Sequence, residues 1–551
     1  NVKAKISGLA TGNLFSGIIG APVISSSSSE EYSKNLLLKS ELEVDKPVDL
    51  DSATDTYNNL EVSNSSIINN SVIKGTKAKQ YAMAQENYEA NRAYVTLLNN
   101  EGKKIDLSGD ESLAMYAKNG YIVNKGELEL SGKNSTAIYG MNNAIIENTA
   151  TSKIKLNGDK SIAIYYDNDD TTSDGQAIEN HGELELNGNE DIGIAYNSKS
   201  ISSSNPSLVK NFSDIKVNKS GSIGIYSKVL QNKSYIVENQ GNITINSENE
   251  NKKTPTIGMY TADLLGKLVN RNNGTIKVSK NNIGILGNSV DNEGTIEVDT
   301  AGTAIYSKGG NVNIQDGNIK LKNGSLKKET IGVVMSGANQ TLNRIGGNLD
   351  LDDYSYVFVN NGSGNTMNLS GNDVTLKNHS VYAYSDDKDS QIINNTNLKF
   401  NGDTGRNLGI YSNGIVQNNA NIDLTKGYGN IGVYSYGKKA TNNGTISVGE
   451  SDIVNNLYNI GMAAGFTNGH SPIDSKDTVI RPKYIGEIEN TGTINVDGKF
   501  GIGLFATGKG SIVRNSSNII LNNDSTVGIY ADEGATVYNS GTIKTGKNSL
   551  I

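Results

Sequence analysis

The sequence predicts an all-β fold, a right-handed parallel β-helix (β-solenoid) of about 16 coils. Three observations predict it. A four-residue phrase ending in an aromatic residue recurs along the chain, and an Asn-x-Gly turn with an alternating strand recurs between its copies. The copies are spaced about 20 to 34 residues apart, with one gap of about 42, which suits one solenoid coil per repeat.

The first phrase appears as Ile162-Ala163-Ile164-Tyr165, Ile223-Gly224-Ile225-Tyr226, Ile431-Gly432-Val433-Tyr434 and Val527-Gly528-Ile529-Tyr530, with further copies from Leu113 onward. Positions one and three are aliphatic, and position two is nearly always Gly or Ala. Alternate residues of a strand face opposite ways. The aliphatic pair is therefore expected to face the core, with Gly or Ala on the outer face beside the tyrosine. Stacked coils would then line the rings into an outer tyrosine ladder.

The second phrase reads NKGELEL, NHGELEL, NQGNITI, NEGTIEV, NNGTISV and NSGTIKT. In NEGTIEV, Ile296 and Val298 point one way while Thr295 and Glu297 point to solvent. Gly and Asn are expected to supply positive φ in these turns. The Leu and Asn pattern of leucine-rich repeats is missing, propeller blades need about 40 residues and four strands, and period-two alternation rules out helical solenoids. A lone coil buries too few aliphatic side chains to offset the ordering of its backbone, whereas stacked coils share strand pairing with two neighbours.

Composition narrows the function classes. Among 551 residues there are 61 Gly, 27 Tyr, no Trp and no Cys, with a formal charge of −8. A cysteine-free secreted chain must be held together by something other than disulfides, and stacking supplies that device. The acidic balance offers no basic stripe for nucleic acid. The apolar stretch LFSGIIGAPVI is too short and Gly-broken to span a bilayer. The start NVKAKISG, without initiator Met or leader, is expected of an internal or processed piece of a longer protein.

Residues 1–99 read differently from the repeats of 100–551. The stretch KAKQYAMAQENYEANRAYVTLLNN has helix-forming composition over about 76–98, where a helix would cap the first coil. The N-terminal region is thus expected to be mixed or helical, with SSSSSEEYSKN upstream as a surface loop.

Little in the chain points to catalysis. The histidines His181, His379 and His470 lie in different coils, none paired at metal-ligand spacing, and His181 fills the free place of an Asn-x-Gly turn. The acidic loop DNDDTTSDG, Asp167 to Gly175, lacks the ligand offsets of a calcium loop. Gly427, Gly429 and Gly432 match G-x-G-x-x-G but precede a strand. Ser71 with Lys74, Ser325 with Lys328, and Lys544-Thr545-Gly546 match fragments of a serine-acylation signature without its remaining elements. Asp350, Asp352 and Asp353 are the nearest approach to a carboxylate cluster, and they also read as outward strand positions. The chain is expected not to be an enzyme, to hold no catalytic or metal site and to need no cofactor.

The most individual segment is the long loop of about 463–487, AAGFTNGHSPIDSKDTVIRPKYIGE. Loops that break a regular scaffold carry recognition. Phe466, His470, Arg481 and Tyr484 are its candidate partner-binding residues.

The GIY and N-x-G-T-I-x-V phrases, the absence of Cys and the Asn/Lys/Ile-rich composition resemble the passenger domains of type V autotransporters, in particular the fusobacterial outer-membrane adhesins of the RadD-like family. The resemblance covers roughly residues 100–551. It implies a monomeric, extracellular passenger displayed at the outer-membrane surface, with the membrane barrel outside this chain. It also implies coaggregation and virulence roles, through attachment to a bacterial or host cell-surface protein or glycan. The sequence lacks the G-D-S-G motif of serine-protease passengers, which favours the adhesins. The shared phrases are structural, so no binding residue carries over. A structural stalk without its own binding site, or a polysaccharide-active β-helix enzyme, are the alternatives.

Overall fold

The computed structural model describes residues 2–6, 10–11, 40–52, 59–63, 65–86, 96–171, 175–201, 206–248, 254–465, 484–546 and 548–550. They form a parallel β-solenoid of about 17 turns, and the chain divides into two compact units, Asn1–Lys277 and Val278–Ile551.

Each coil of the first unit carries three short strands, and equivalent strands of successive coils pair in parallel. A tyrosine ladder runs from Asn59–Ser63 to Ile257–Thr261. An asparagine ladder runs from Val2–Ile6 to Gly266–Asn270. A third ladder includes Lys104–Leu107, Glu127–Leu130, Lys153–Leu156 and Glu183–Leu186. Its alternation is strict: Ile105, Leu107, Leu128, Leu130, Ile154 and Leu156 are fully buried. The outward Lys104, Glu127, Glu129 and Lys155 form cross-strand ion pairs, Lys104 lying 2.5 Å from Glu129 and 3.6 Å from Glu127.

The tyrosine strands depart from simple alternation. Ile192 pairs with Ile223 and Ile194 with Ile225, while the Gly193 and Gly224 between them are skipped. A Cβ on Gly193 would sit 3.3 Å from Cγ2 of the inward Ile215, and one on Gly224 would sit 3.2 Å from Cγ2 of Ile243. Position two therefore faces the core, against the expectation that it shares the outer face with the tyrosine. The physical reason is a corner at the strand's start: positions two and three both turn inward, and positions one and four turn out together. Small residues are selected at position two by the close approach of the next coil, whose Gly224 carbonyl would lie 2.5 Å from a Gly193 Cβ.

The expected outer ring ladder is present. Tyr116, Tyr139 and Tyr165 follow one another at centroid distances of 5.3 and 4.9 Å, and Tyr226 meets Tyr260 at 5.6 Å.

The asparagine of the Asn-x-Gly turn proves to be a core residue, not a source of positive φ. Asn69, Asn99, Asn124, Asn148, Asn180, Asn211, Asn239 and Asn270 stack with each Nδ2 donating to the next Oδ1 at 2.8–3.0 Å. In Asn180 the second amide proton goes to the Gly182 carbonyl of its own turn, so the buried amide is satisfied. The turn glycine is required by proximity: a Cβ on Gly126 would lie 2.2 Å from the Lys103 carbonyl oxygen. Positive φ sits at the other corner, before the tyrosine strand, at Lys79, Glu111, Asn134, Lys160, Glu190 and Gly221. Beside it runs a second buried stack, in which the backbone N–H of Ser112 donates to Ser135 Oγ, that of Ser135 to Ser161 Oγ, and that of Ser161 to Asp191 Oδ1.

The helix expected over 76–98 is contradicted. Tyr81–Glu86 is a strand of the tyrosine ladder and Thr96–Asn99 one of the asparagine ladder; residues 87–95 lie outside the described residues. Ala82, Met83 and Ala84 are buried, with Met83 registered on Met115. Parallel pairing and burial override the helix-forming Ala, Met, Gln and Glu. The N-terminal region is not helical among its described residues, where the one helical element is the 3-10 turn Leu50–Ser52.

The second unit repeats the plan. Its tyrosine ladder runs from Ile283–Gly287 to Val527–Asp532, and its asparagine ladder from Ser289–Asn292 to Thr536–Asn539. Asn394, Asn418, Asn442, Asn490, Asn515 and Asn539 stack by the same amide bonds. The seat is instead held by Ile314, Arg344 and Leu369 in three consecutive coils. Arg344 is 1% exposed, and its guanidinium donates to the carbonyls of Ser370, Gly347 and Asn372 and to Thr396 Oγ1 at 3.0–3.1 Å.

Candidate functional site

The candidate site lies in the second unit, where the long insertion separates the tyrosine-ladder strand Ile460–Ala464 from the asparagine-ladder strand Glu487–Asn490. Strands Leu408–Ser412, Ile431–Ser435, Ile460–Ala464 and Ile502–Thr507 stand in register there. Because positions one and four both point outward, Ile431, Tyr434, Ile460, Ala463, Ile502 and Phe505 pack into one apolar cluster on the outer face. Leu408, Tyr411 and Val527 border it.

The chain leaves this face at Gly465, whose φ of +79° is open to glycine without strain. The Gly465 N–H donates to the Ser435 carbonyl at 2.9 Å, and its own carbonyl accepts the Tyr434 hydroxyl at 3.0 Å. The loop's far end, Tyr484, returns to the same face. Its ring is 39% exposed and stands edge-on to Tyr436, 5.5 Å between centroids. Tyr436 lies over Tyr411 at 4.6 Å and donates to Asp386 Oδ1 at 2.8 Å and to the Ser385 carbonyl at 3.2 Å. Burial, then the bond to Asp386 and the nearby phenols Tyr384 and Tyr411, push the Tyr436 hydroxyl far above the ordinary tyrosine value. Burial and the Asp386 charge raise Tyr384 likewise. These hydroxyls are permanent donors at physiological pH. Tyr436 is buried and spends its hydroxyl on Asp386 and the Ser385 carbonyl, so the groups this face presents outward are the Tyr484 ring and the Asp386 carboxylate.

Of the four residues expected to bind a partner, Tyr484 is thus placed beside Tyr436, while Phe466, His470 and Arg481 lie outside the described residues. The strands on either side claim Ala463, Ala464 and Glu487 from the expected loop. Tyr436 and Asp386 were not singled out in the sequence. Both follow a tyrosine phrase by two residues, and a repeat alignment carried past the tyrosine exposes the position.

The remaining candidates resolve into structural roles. His181 stacks on Phe212 at 4.4 Å with its ring planes 4° apart. His379, at a positive-φ corner, stacks on Tyr354 at 4.5 Å; burial, then the Arg406 charge, hold its imidazole below the usual value, against Asp353. Asp350 lies 2.6 Å from Lys322, and Asp352 lies 2.9 Å from Lys377. Burial pushes Asp352 up, but the bonds from Lys377 and the Asn323 N–H and the charges of Lys322 and Lys377 outweigh it and hold the carboxyl below its usual range. It is an ion-paired anion and not a proton donor. Asp353 accepts the Asn378 N–H at 3.0 Å.

Asp167, expected to open the acidic loop, belongs instead to the strand Ile162–Asn168, where it accepts from Asn197 Nδ2 at 2.8 Å. Among the described residues, no group of three or more His, Asp or Glu side chains is placed to hold a metal ion. An open groove over the third ladder of the second unit is lined by Asp373, Lys399, Asp423, Thr445 and Ser447, with Lys399 3.3 Å from Asp373. No helix among the described residues is long and apolar enough to cross a membrane.

Comparison with known proteins agrees with the architecture. The family model described as BigA third pectate lyase-like domain matches twice, over residues 27–274 and 269–546. No curated protein and no solved structure matches the chain. Two tandem matches that together span nearly the whole sequence, on a chain built of stacked three-strand coils, show that it belongs to the BigA third pectate lyase-like domain family.

Proposed function

We propose that this chain is passenger material of a surface-displayed autotransporter adhesin, akin to the fusobacterial RadD-like proteins. In this reading it attaches to other bacteria or to host cells, binding a surface protein or glycan without turning it over. The observation that carries the proposal is the 466–483 insertion, seated between Gly465 and the Tyr484–Tyr436 pair on an otherwise repetitive ladder. A regular stack accommodates such an insertion without loss of register in the strands on either side. Family membership and the disulfide-free ladders support the passenger reading.

The test is direct binding of the purified chain to partner bacteria and epithelial cells, alongside a variant in which 466–483 is replaced by a short glycine-containing turn. Saturable binding by the parent, reduced at least tenfold in a variant that keeps its β-structure, is expected. Equal binding by both would remove the insertion from the mechanism. No binding by either folded protein would make this segment a stalk. Release of reducing ends from a polysaccharide panel would move the protein to the enzymes.

A further inference from the structure

The coils of this chain are joined by hydrogen bonds, ion pairs and packing, and the sequence holds no cysteine to add a covalent bond between them. It holds no Trp either, so its 27 tyrosines are the most readily oxidised aromatic side chains it has. Oxidation joins two tyrosines within a chain where their rings already lie side by side, and the parallel register supplies such pairs. Tyr139 in Thr136–Met141 stands directly opposite Tyr165 in Ile162–Asn168. Their ring centroids are 4.9 Å apart with planes 22° from parallel, and both rings are part-exposed.

The other stacked tyrosine pairs among the described residues each lack one of these features. Tyr166 and Tyr196 are as parallel, at 5.0 Å and 17°, but both are fully buried. The pairs formed by Tyr434 and Tyr436 each contain a buried ring. Tyr116–Tyr139, Tyr226–Tyr260 and Tyr384–Tyr411 stand 5.3–5.6 Å apart and are tilted by 34–58°. Ala195 interrupts the row between Tyr165 and Tyr226. Tyr139 and Tyr165 thus combine closeness, near-parallel planes and access for an oxidant. Burial, then the charge of Asp167, raises both phenols above the ordinary tyrosine value, so both are protonated at neutral pH. The same negative charge favours removal of an electron from either ring.

We propose that Tyr139 and Tyr165 are an oxidative cross-linking site, at which a one-electron oxidant of the peroxidase class, drawing on hydrogen peroxide, joins the rings as dityrosine and staples two successive coils. Each phenol loses one electron and its hydroxyl proton, and the two phenoxyl radicals couple at the ring carbons ortho to oxygen. The hydrogens on those carbons then pass through solvent to the oxygens, which restores both phenols. In total two C–H bonds break and one C–C bond forms, while hydrogen peroxide takes up two electrons and two protons and leaves as two water molecules. The bond closes residues 139–165 into a loop and restricts the unfolded chain as a disulfide does. It uses outward seats alone, and it does not depend on the adhesive insertion.

The experiment treats the full chain at low concentration with a haem peroxidase and hydrogen peroxide, isolates the monomer, and maps its links by dityrosine fluorescence and peptide mass spectrometry. Tyr139→Phe and Tyr165→Phe are treated beside it; Phe505 already fills this seat in the second unit, so the scaffold accommodates the change. A linked peptide pair carrying Tyr139 and Tyr165, two hydrogens lighter than its parts, is expected as the main product, at least tenfold above any other pair. Each variant should abolish it, and the treated parent should unfold at a higher urea concentration than either treated variant. In the chain unfolded by urea, a photogenerated ruthenium(III) oxidant should scatter the links among many tyrosines. Links mainly between chains, a different dominant pair, or tyrosine oxidation without coupling would overturn the proposal. So would a linked chain that unfolds at an unchanged urea concentration, or the same dominant pair in the unfolded chain, because the fold would then not select it.

Discussion

Asp191 sits in a seat that serine fills in the coils on either side, and that replacement makes the first unit sensitive to pH. The side chain is fully buried, with Oδ1 accepting the Ser161 N–H and Oδ2 the Gly188 N–H, both at 2.9 Å. Burial pushes its carboxyl up to about 7, against those two donors, and the charge of Asp159 adds to the rise. An unfolded aspartate titrates near ~3.9. The folded value is the higher one, so the folded chain binds the proton more tightly. The stabilisation this supplies is complete below about pH 4 and is lost as pH rises through about 7. Three pH units at about 1.4 kcal/mol each set a ceiling of about 4 kcal/mol on the loss.

Replacing the carboxyl by the hydroxyl of Asp191→Ser should remove this dependence. The stability difference, variant minus parent, should climb by up to about 4 kcal/mol between pH 4 and pH 8. Urea midpoints across that range are one readout. Amide-exchange protection at Ser161 and Gly188 is the sharper one, because a stack of coils can open locally. The histidines and surface carboxylates titrate equally in both proteins and cancel in the difference. A difference that stays flat from pH 4 to 8 would refute the reasoning.

The ladders yield two further predictions. Asn180→Leu strands the amide of Asn148 and the carbonyl oxygen of Asn211, and should cost about 3–5 kcal/mol. Asn394→Leu, at the end of a run where Leu369 is the neighbour on one side, should cost visibly less in parallel urea melts; equal costs would deny the stack its cooperative role. Arg344→Met leaves three carbonyls and Thr396 Oγ1 without their buried donor, and should lower stability by about 3–5 kcal/mol with local loss of amide protection in the coils of Ser370 and Asn372. A neutral outcome there would mean that water replaces the guanidinium without loss.

Period-two alternation made the third ladder fully legible, since Leu128 and Leu130 need only a strand and a core to be placed. The aromatic ladder was legible for the same reason at Tyr116, Tyr139 and Tyr165. What alternation cannot show is a corner within a strand, and so Gly193 and Gly224 were assigned to the wrong face. The asparagine stack was hidden because a single turn explains its Asn well. Only pairing Asn148 with Asn180 and Asn211 across coils reveals that the amide serves its neighbours more than its own turn. Local propensity misled at Tyr81–Glu86, where Ala82 and Ala84 favour a helix but the pairing of Met83 with Met115 decides. For the site, Tyr484 was found as part of a conspicuous insertion, whereas Tyr436 and Asp386 acquire meaning only when coils 50 residues apart are brought together.

The seats of a coil divide by how freely they can vary, and this division explains where recognition can be written. An inward asparagine is tied to two neighbours, and a turn glycine is fixed by a carbonyl about 2 Å from where a Cβ would go, so one change propagates to adjacent coils. The fourth position carries Tyr165, Ala195 and Tyr226 in consecutive coils while the register is unbroken on both sides. The first position likewise accepts Thr136 and Ile162. Outward seats are therefore free to change without disturbing the stack that holds them. The buried seat changes only as a block, as where Ile314, Arg344 and Leu369 replace asparagine in three consecutive coils, whereas the outward seats change coil by coil. The stacked Tyr139 and Tyr165 of the first unit and the apolar cluster around Tyr434 of the second are built from the same two variable positions. The units therefore differ most in what those outward positions carry and in the insertion, because the buried ladders beneath them are largely the same device.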